Sequence, residues 1–327
     1  MLIIYLFILA VSFVLMFKSA DLFVSGAAGL ARVFNLSKLI VGIVLVGLAT
    51  TAPEFAVSVQ SAYLGHPEIA LGNAIGSVIV DDGVALALAG LLAAGPILIN
   101  CQLLKFIGFF LLGIDIFAFI LALNGTIGRF EGLIFLLILG VYYFVLIRKR
   151  EVGETLASEE EKLLQEIKKV KLSRRKEIKK SVFYFTGGII GVFVTSRLVI
   201  WSATNLARTF SISETVIGLT IIALGTSLPE ISTCIVAARK GEGEIAVGDI
   251  IGADILNVLW IIGASALVSP ITVELKVIHF SFPAMLVIVA TMIISLRIGC
   301  RLNKLKSFLL LGLYLVYFLL MVKLFVL

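Results

Sequence analysis

The chain has 327 residues, 60% of them hydrophobic and only 15% charged, with a formal net charge of +6 and a mean hydropathy of +1.14. That composition lies far outside soluble-protein usage and leaves too few polar residues to coat a soluble bundle, so the chain is an integral membrane protein. The basic excess does not point to nucleic acid, because the lysines and arginines fall between the apolar runs.

Apolar runs long enough to cross a bilayer as helices recur along the whole sequence. In chain order the expected spans are 2–33, 38–64, 69–97, 103–123, 130–148, 182–209, 213–240, 245–269, 277–298 and 303–326. The expected fold is therefore an all-α integral membrane protein with about ten transmembrane helices. Met1 opens directly into apolar sequence, with no basic region and no small-residue cleavage site, so the first segment is expected to be retained rather than cleaved. Lys18 and Asp21 lie three apart on it and are able to pair locally. The second span carries "GLATTAPEF" (47–55) and the third "GNAIGSVIVDD" (72–82). Asp115 places a carboxylate inside the fourth span, where an ionisable group is functional by default, although its place outside the repeated motifs favours a structural role.

Residues 149–181 form a charged linker with Leu163, Leu164, Ile167 and Val170 at helical spacing. It reads either as a solvated connection or as a basic helix on anionic lipid. If it is cytoplasmic, Arg32, Lys38, Lys105, Arg239, Lys240, Arg297, Arg301, Lys304 and Lys306 are cytoplasmic too. Only Arg129, Arg208, Lys276 and Lys323 lie outside, which places both termini on the extracytoplasmic side of the cell membrane. The seventh span carries "ALGTSLPE" (223–230) and the eighth "GDIIGADILN" (248–257). His66 and His279 fall near helix ends. Cys101, Cys234 and Cys300 are scattered and odd in number, so no disulfide framework or metal spacing is expected.

A shift of the chain that carries Glu54 onto Glu230 aligns one long stretch of the first half with the second without a gap. "GLARVFNLSKLIVGIVLVGLATTAPEF" then falls on "NLARTFSISETVIGLTIIALGTSLPEI", and "GNAIGSVIVD" falls on "GDIIGADILN". Chance rarely matches Pro-Glu and Gly-x-x-x-Gly together at one offset. Five spans per half is an odd number, so residues 1–148 and 182–327 are expected to be inverted repeats. That is an architecture of secondary transporters, whose ion sites lie between the repeats. Arg197 falls on the position related to Asp21, which allows a contact between the first and sixth spans.

A proline inside a helix lacks an N–H and crowds the carbonyl four residues back. Pro53 and Pro229 are thus expected to loosen backbone near Ala49 and Gly225, which membrane depth tolerates only beside protein or a water-lined cavity. Thr50, Thr51, Thr226 and Ser227 add hydroxyls, and Glu54 and Glu230 add charge. Calcium takes six to eight oxygen ligands in flexible geometry, and two glutamates balance one divalent ion. An uncompensated carboxylate at this depth costs about 3 kcal/mol. A plain proline kink with a cross-bundle hydrogen bond explains one such site better than it explains two equivalent ones. Gly72, Gly76, Gly248 and Gly252 have small-xxx-small spacing, which lets helices approach closely. Ser77 and Asp81 share one helical face, repeated by Ala253 and Asn257. Asp81 is a further candidate ligand. Asp82 points about 100° away, and the partners of Asp249 and Asp254 are not evident from sequence.

These motifs resemble the sodium/calcium exchangers of the cation/calcium antiporter superfamily, in both of their repeats and over essentially the whole chain. The resemblance implies that spans two, three, seven and eight form the ion-binding core, while spans one and six slide across it. It makes Glu54 and Glu230 the acids shared by calcium and sodium, with Thr50 and Thr226 assisting calcium. Thr51, Ser77 and the Gly47 carbonyl serve sodium towards one side, and Ser227 and the Ala223 carbonyl towards the other. The sequence departs from the family where Ala253 replaces a common serine, and where Asp81 and Asn257 exchange the usual Asn and Asp.

The expected function is sodium/calcium antiport by alternating access, with no resident cofactor, no catalytic residues and no nucleic-acid partner. Inorganic cations (calcium with sodium or protons) and the lipid bilayer are the partners, and a monomer is expected to suffice. Calcium/proton exchange is the alternative within the same class. A passive channel is disfavoured by the inverted repeat. An intramembrane hydrolase is disfavoured because there is no zinc motif and no nucleophile–base pair.

Overall fold

The computed structural model describes residues 2–33, 50–99, 101–151, 171–239, 241 and 243–325. Helix α1 (Leu2–Val33) is followed by α2 (Ala52–Tyr63). Helix α3 (Pro67–Val80) then passes through a π-helical turn, Asp81–Ala85, into α4 (Leu86–Leu92). Strand β1 (Ile97–Leu98), α5 (Cys101–Ala122), β2 (Thr126–Ile127) and α6 (Arg129–Glu151) complete the first half.

The second half opens with α7 (Lys171–Phe210), which starts inside the expected linker. The next span is built from α8 (Glu214–Ile217), a π turn at Gly218–Ile222, α9 (Ala223–Thr226) and α10 (Leu228–Arg239). Helix α11 (Gly243–Leu256) continues through a π turn, Asn257–Ile262, into α12 (Gly263–Val268). After β3 (Ile271–Thr272) and a π turn at Val277–Ser281 come α13 (Phe282–Arg297), β4 (Arg301–Leu302) and α14 (Lys304–Phe325).

Local chemistry sets these boundaries. Pro67 opens α3, where a missing N–H needs no partner. Glu131 in the first turn of α6 reaches back to the Gly128 N–H at 3.0 Å, one arm of a capping box. Asn303 caps α14 by accepting the Lys306 N–H at 3.0 Å.

Six described helices are long and apolar enough to cross a bilayer, and the bent pair Glu214–Thr226 and Leu228–Arg239 makes a seventh. Of the other expected spans, the second runs partly outside the described residues. In α1 the apolar run is Leu2–Met16, before Lys18. Helix α6 is continuous over 23 residues, about 35 Å at helical rise.

Burial separates centre from rim. Within Pro67–Leu92 and Ala246–Val268, 78% of the apolar window is buried, against 17% for Lys304–Phe325. The segments α3–α4 and α11–α12 are therefore the core, and α14 faces lipid. Helix α3 crosses α8 at backbone contact: a Cβ on Gly218 would lie 2.8 Å from the Ile69 carbonyl oxygen, and one on Gly72 would collide with the Thr215 carbonyl. Gly76 likewise abuts Ala223. Among the described residues nothing approaches Gly248 or Gly252 within 4 Å. The stretch related by the repeat to Thr215–Ala223 lies at 39–47, outside the described residues.

Helices α1 and α7 run antiparallel along each other. Gly26 meets the backbone of Phe185, Gly191 meets Ser19, and Tyr5 packs edge-on against Trp201. Each short strand pairs across the halves, β1 with β4 and β2 with β3, both antiparallel. This is the exchange that a two-fold relation between the halves demands. The β1–β4 ribbon is also joined by a Cys101–Cys300 disulfide with a Cα separation of 5.5 Å, which corrects the expectation of no disulfide framework. Two residues 199 apart in sequence give no local sign of pairing. Cys234 is free and buried.

Candidate functional site

The seventh span bends by 42° where α9 gives way to α10. The backbone leaves helical geometry at Ser227 (φ −79°, ψ 4°), and at the related Thr51 it does the same (φ −81°, ψ 1°). Pro53 and Pro229 sit in the first turn of the helix that restarts after the break. The backbone near the break is only partly freed. The Ala223 carbonyl, expected to face an ion, accepts the Ser227 N–H at 3.0 Å and the Thr226 hydroxyl at 3.3 Å, which engages both of its lone pairs. Gly47 lies outside the described residues.

Restarting the helix at proline points the next residue, a glutamate, inward in both halves. Glu54 and Glu230 are each 1% exposed, and none of their four carboxyl oxygens has a hydrogen-bond partner. They lie within electrostatic reach of each other although they come from opposite halves. The hydroxyls of Thr226 and Ser227 face Glu54, and Ser227 also faces Asp81. Thr51, Ser77, Asp81, Thr226, Ser227 and Asn257 are all buried; Ser77, Ser227 and Asn257 have side-chain atoms without partners. The structure thus gathers Glu54, Glu230, Asp81, Thr226 and Ser227. Ser77 and Asn257 lie on the core helices that flank them.

Asn73 is a site residue that sequence reasoning passed over. Its amide nitrogen donates to the Ser58 hydroxyl at 2.9 Å and the Glu54 carbonyl at 3.3 Å, while its oxygen accepts the Thr226 hydroxyl at 3.0 Å. It therefore ties the break of one half to the glutamate-bearing helix of the other. The related position is Asp249, and there Thr50, the counterpart of Thr226, faces the carboxylate. The motif pair "GN" and "GD" was the available signal.

A second group of acids lies beside the first. Asp82 and Asp254 face one another within hydrogen-bond reach, with Asp115 within electrostatic reach, and all three are fully buried. No lysine, arginine or histidine is buried among the described residues. Nor is any group of three or more Asp, Glu, His or Cys side chains among them arranged to hold a metal ion by itself. An ion at Glu54 and Glu230 thus needs hydroxyl and carbonyl oxygens to fill its shell, as a hard cation prefers.

Comparison with known proteins matches this chain to the sodium/calcium exchanger protein family over residues 4–148 and 180–323. The chain belongs to that family. This exchanger is 35% identical to the inner membrane protein YrbG of Escherichia coli, over 80% of its own length and 79% of that protein. It is 26% identical to the sodium/calcium exchanger MaX1 of Methanosarcina acetivorans, over 95% and 96% of the two chains. Its fold matches a structure of the sodium-calcium exchanger NCX_Mj soaked with sodium and strontium, with a TM-score of 0.65 at 25% identity over 97% of this chain and 98% of that one. Membership makes the exchanger a multi-pass membrane transporter of the cation/calcium antiport class, not an enzyme.

Proposed function

We propose that the chain exchanges sodium for calcium by alternating access, holding its ions near the bilayer midplane between the two Pro-Glu turns. One observation carries this reading: Glu54 and Glu230 come from equivalent turns of opposite halves, are buried and lie within reach of each other, with no basic side chain buried beside them among the described residues. Two carboxylates in that state need a cation or a proton, and together they balance one divalent charge. Thr50 and Thr226 assist calcium; Thr51, Ser77 and Gly47 serve sodium towards one side, and Ser227 and Ala223 towards the other. Asp81 and Asn257 complete the core. The names of MaX1 and NCX_Mj support sodium as the coupling ion.

The working division of the chain is 1–148 and 182–327 as repeats, with 149–181 as a cytoplasmic linker and both termini outside. A monomer in the cell membrane contains the whole site. Helices α1 and α7 move as a pair across the core, which they touch through Phe13 on Gly225 and through a hydrogen bond from Ser196 to Gln60. Ion occupancy shifts the two access states only through its differential affinity for them. Calcium uptake into proteoliposomes driven by a sodium gradient tests the reading. Glu54→Gln and Glu230→Gln should each abolish it, and wild-type rates in either variant refute the assignment.

Calcium/proton exchange is the second reading. It is favoured by Ala253, which lacks a hydroxyl for a sodium site, and by the surplus of buried carboxyls. Uptake driven by a pH gradient in sodium-free medium decides for it.

A further inference from the structure

We propose that the lateral groove between α5 and α6 holds an acyl chain of an anionic phospholipid whose headgroup sits between Lys105 and Arg297. The groove has a volume of about 330 Å³ and is walled by Phe106 and Phe110 on one side and Leu137, Val141 and Val145 on the other. Its back is closed where Phe110 stacks on Tyr142 at 4.7 Å. From Ile134 to Val145 it runs roughly 16 Å along α6, about the depth of one leaflet.

The groove has a charged end and an uncharged one. At the start of α5 it continues into a hollow lined by Lys105, Phe106, Phe109 and Phe110. There the Arg297 guanidinium lies over the Phe109 ring, 5.2 Å from its centroid. Lys105 and Arg297 are exposed, and neither has a carboxylate partner among the described residues. The two cations come from opposite halves, and the Cys101–Cys300 disulfide holds their two segments together. An apolar channel one leaflet deep, with two cations at its mouth that lack a carboxylate partner among the described residues, is complementary to an acyl chain under an anionic headgroup. A free phosphate would use the cations and leave the channel unexplained.

The test uses the full-length protein carrying Val141→Trp, a lipid-facing position in the groove wall. It is reconstituted in phosphatidylcholine vesicles containing a small fraction of brominated phosphatidylglycerol or brominated phosphatidylcholine. The introduced tryptophan is expected to be quenched several-fold more by the anionic lipid, and Lys105→Gln with Arg297→Gln is expected to erase the difference. Equal quenching by both lipids overturns the proposal, as does a preference that survives loss of both charges. Relief of quenching by soluble glycerol phosphate assigns the cations to free phosphate and also overturns it. If the double variant does not fold, native mass spectrometry of Lys105→Gln supplies the same decision. Fewer retained phosphatidylglycerol molecules than in wild type support the proposal, and an unchanged number refutes it.

Discussion

In the first half the chain leaves helical geometry at Thr51 and re-enters it at Ala52, just before Pro53; in the second it does so at Ser227 and Leu228, just before Pro229. On the neighbouring core helices, Asp81 and Asn257 each begin a π turn, a feature that often marks functional sites. Asp82, Asp115 and Asp254 behave otherwise: the repeat-related positions of Asp82 and Asp254 are Val258 and Val78, and α13, the counterpart of the Asp115 helix, carries no acid. A site that must open to either side of a membrane uses its parts twice, once in each orientation, so features kept in both halves belong to the shared site. Features present in one half belong to one face, or only to structure.

Experiments can break this comparison, and the glutamate exchanges come first. If Glu54 and Glu230 are equivalent, each Gln variant should lose flux by on the order of 100-fold or more, the effect of a charged contact worth about 3 kcal/mol. Unequal losses would break the equivalence. Next is the exchanged pair: Asp81→Asn should lower calcium flux roughly tenfold, and adding Asn257→Asp should restore most of it, a coupling of about 1.4 kcal/mol in a double-mutant cycle. Additive losses would show that the two positions do not share an ion. A smaller effect is expected from Gly72→Ala, whose new methyl collides with the Thr215 carbonyl. Thermal unfolding should report a loss of about 1–3 kcal/mol. The smallest is Asp115→Asn, which removes a buried acid without a repeat counterpart. Flux should stay within about twofold while the melting temperature rises, because an amide is cheaper to bury than a carboxylate. A large loss of flux would move Asp115 from structure to transport.

The sequence disclosed whatever it carries twice. The Pro-Glu turns, the glycine-rich helices and the inverted relation all stood in the alignment of the two halves, and so did the pairing of Glu54 with Glu230. The rest depended on contacts between distant segments. Nothing local marks the π turns, because Asp81-Asp82-Gly83 reads as ordinary helix until packing against α14 places Tyr314 on Gly83. Cys101 finds Cys300 only because β1 and β4 meet. The loosened backbone at Pro53 and Pro229 was legible too, but not that each proline opens a new helix, since sequence does not tell an interior proline from one in a first turn. Asp249 had no visible partner until Asn73 and Thr226 showed what its symmetric counterpart does.

The contact of Gly72 with the α8 segment leaves no side chain between two backbones to be compressed or slid. Those two helices are therefore welded, and whatever motion the transport cycle demands has to be absorbed elsewhere. Paired spectroscopic probes on α3 and α8 should report one separation in sodium, in calcium and in neither. A pair spanning α1 and α3 should report at least two.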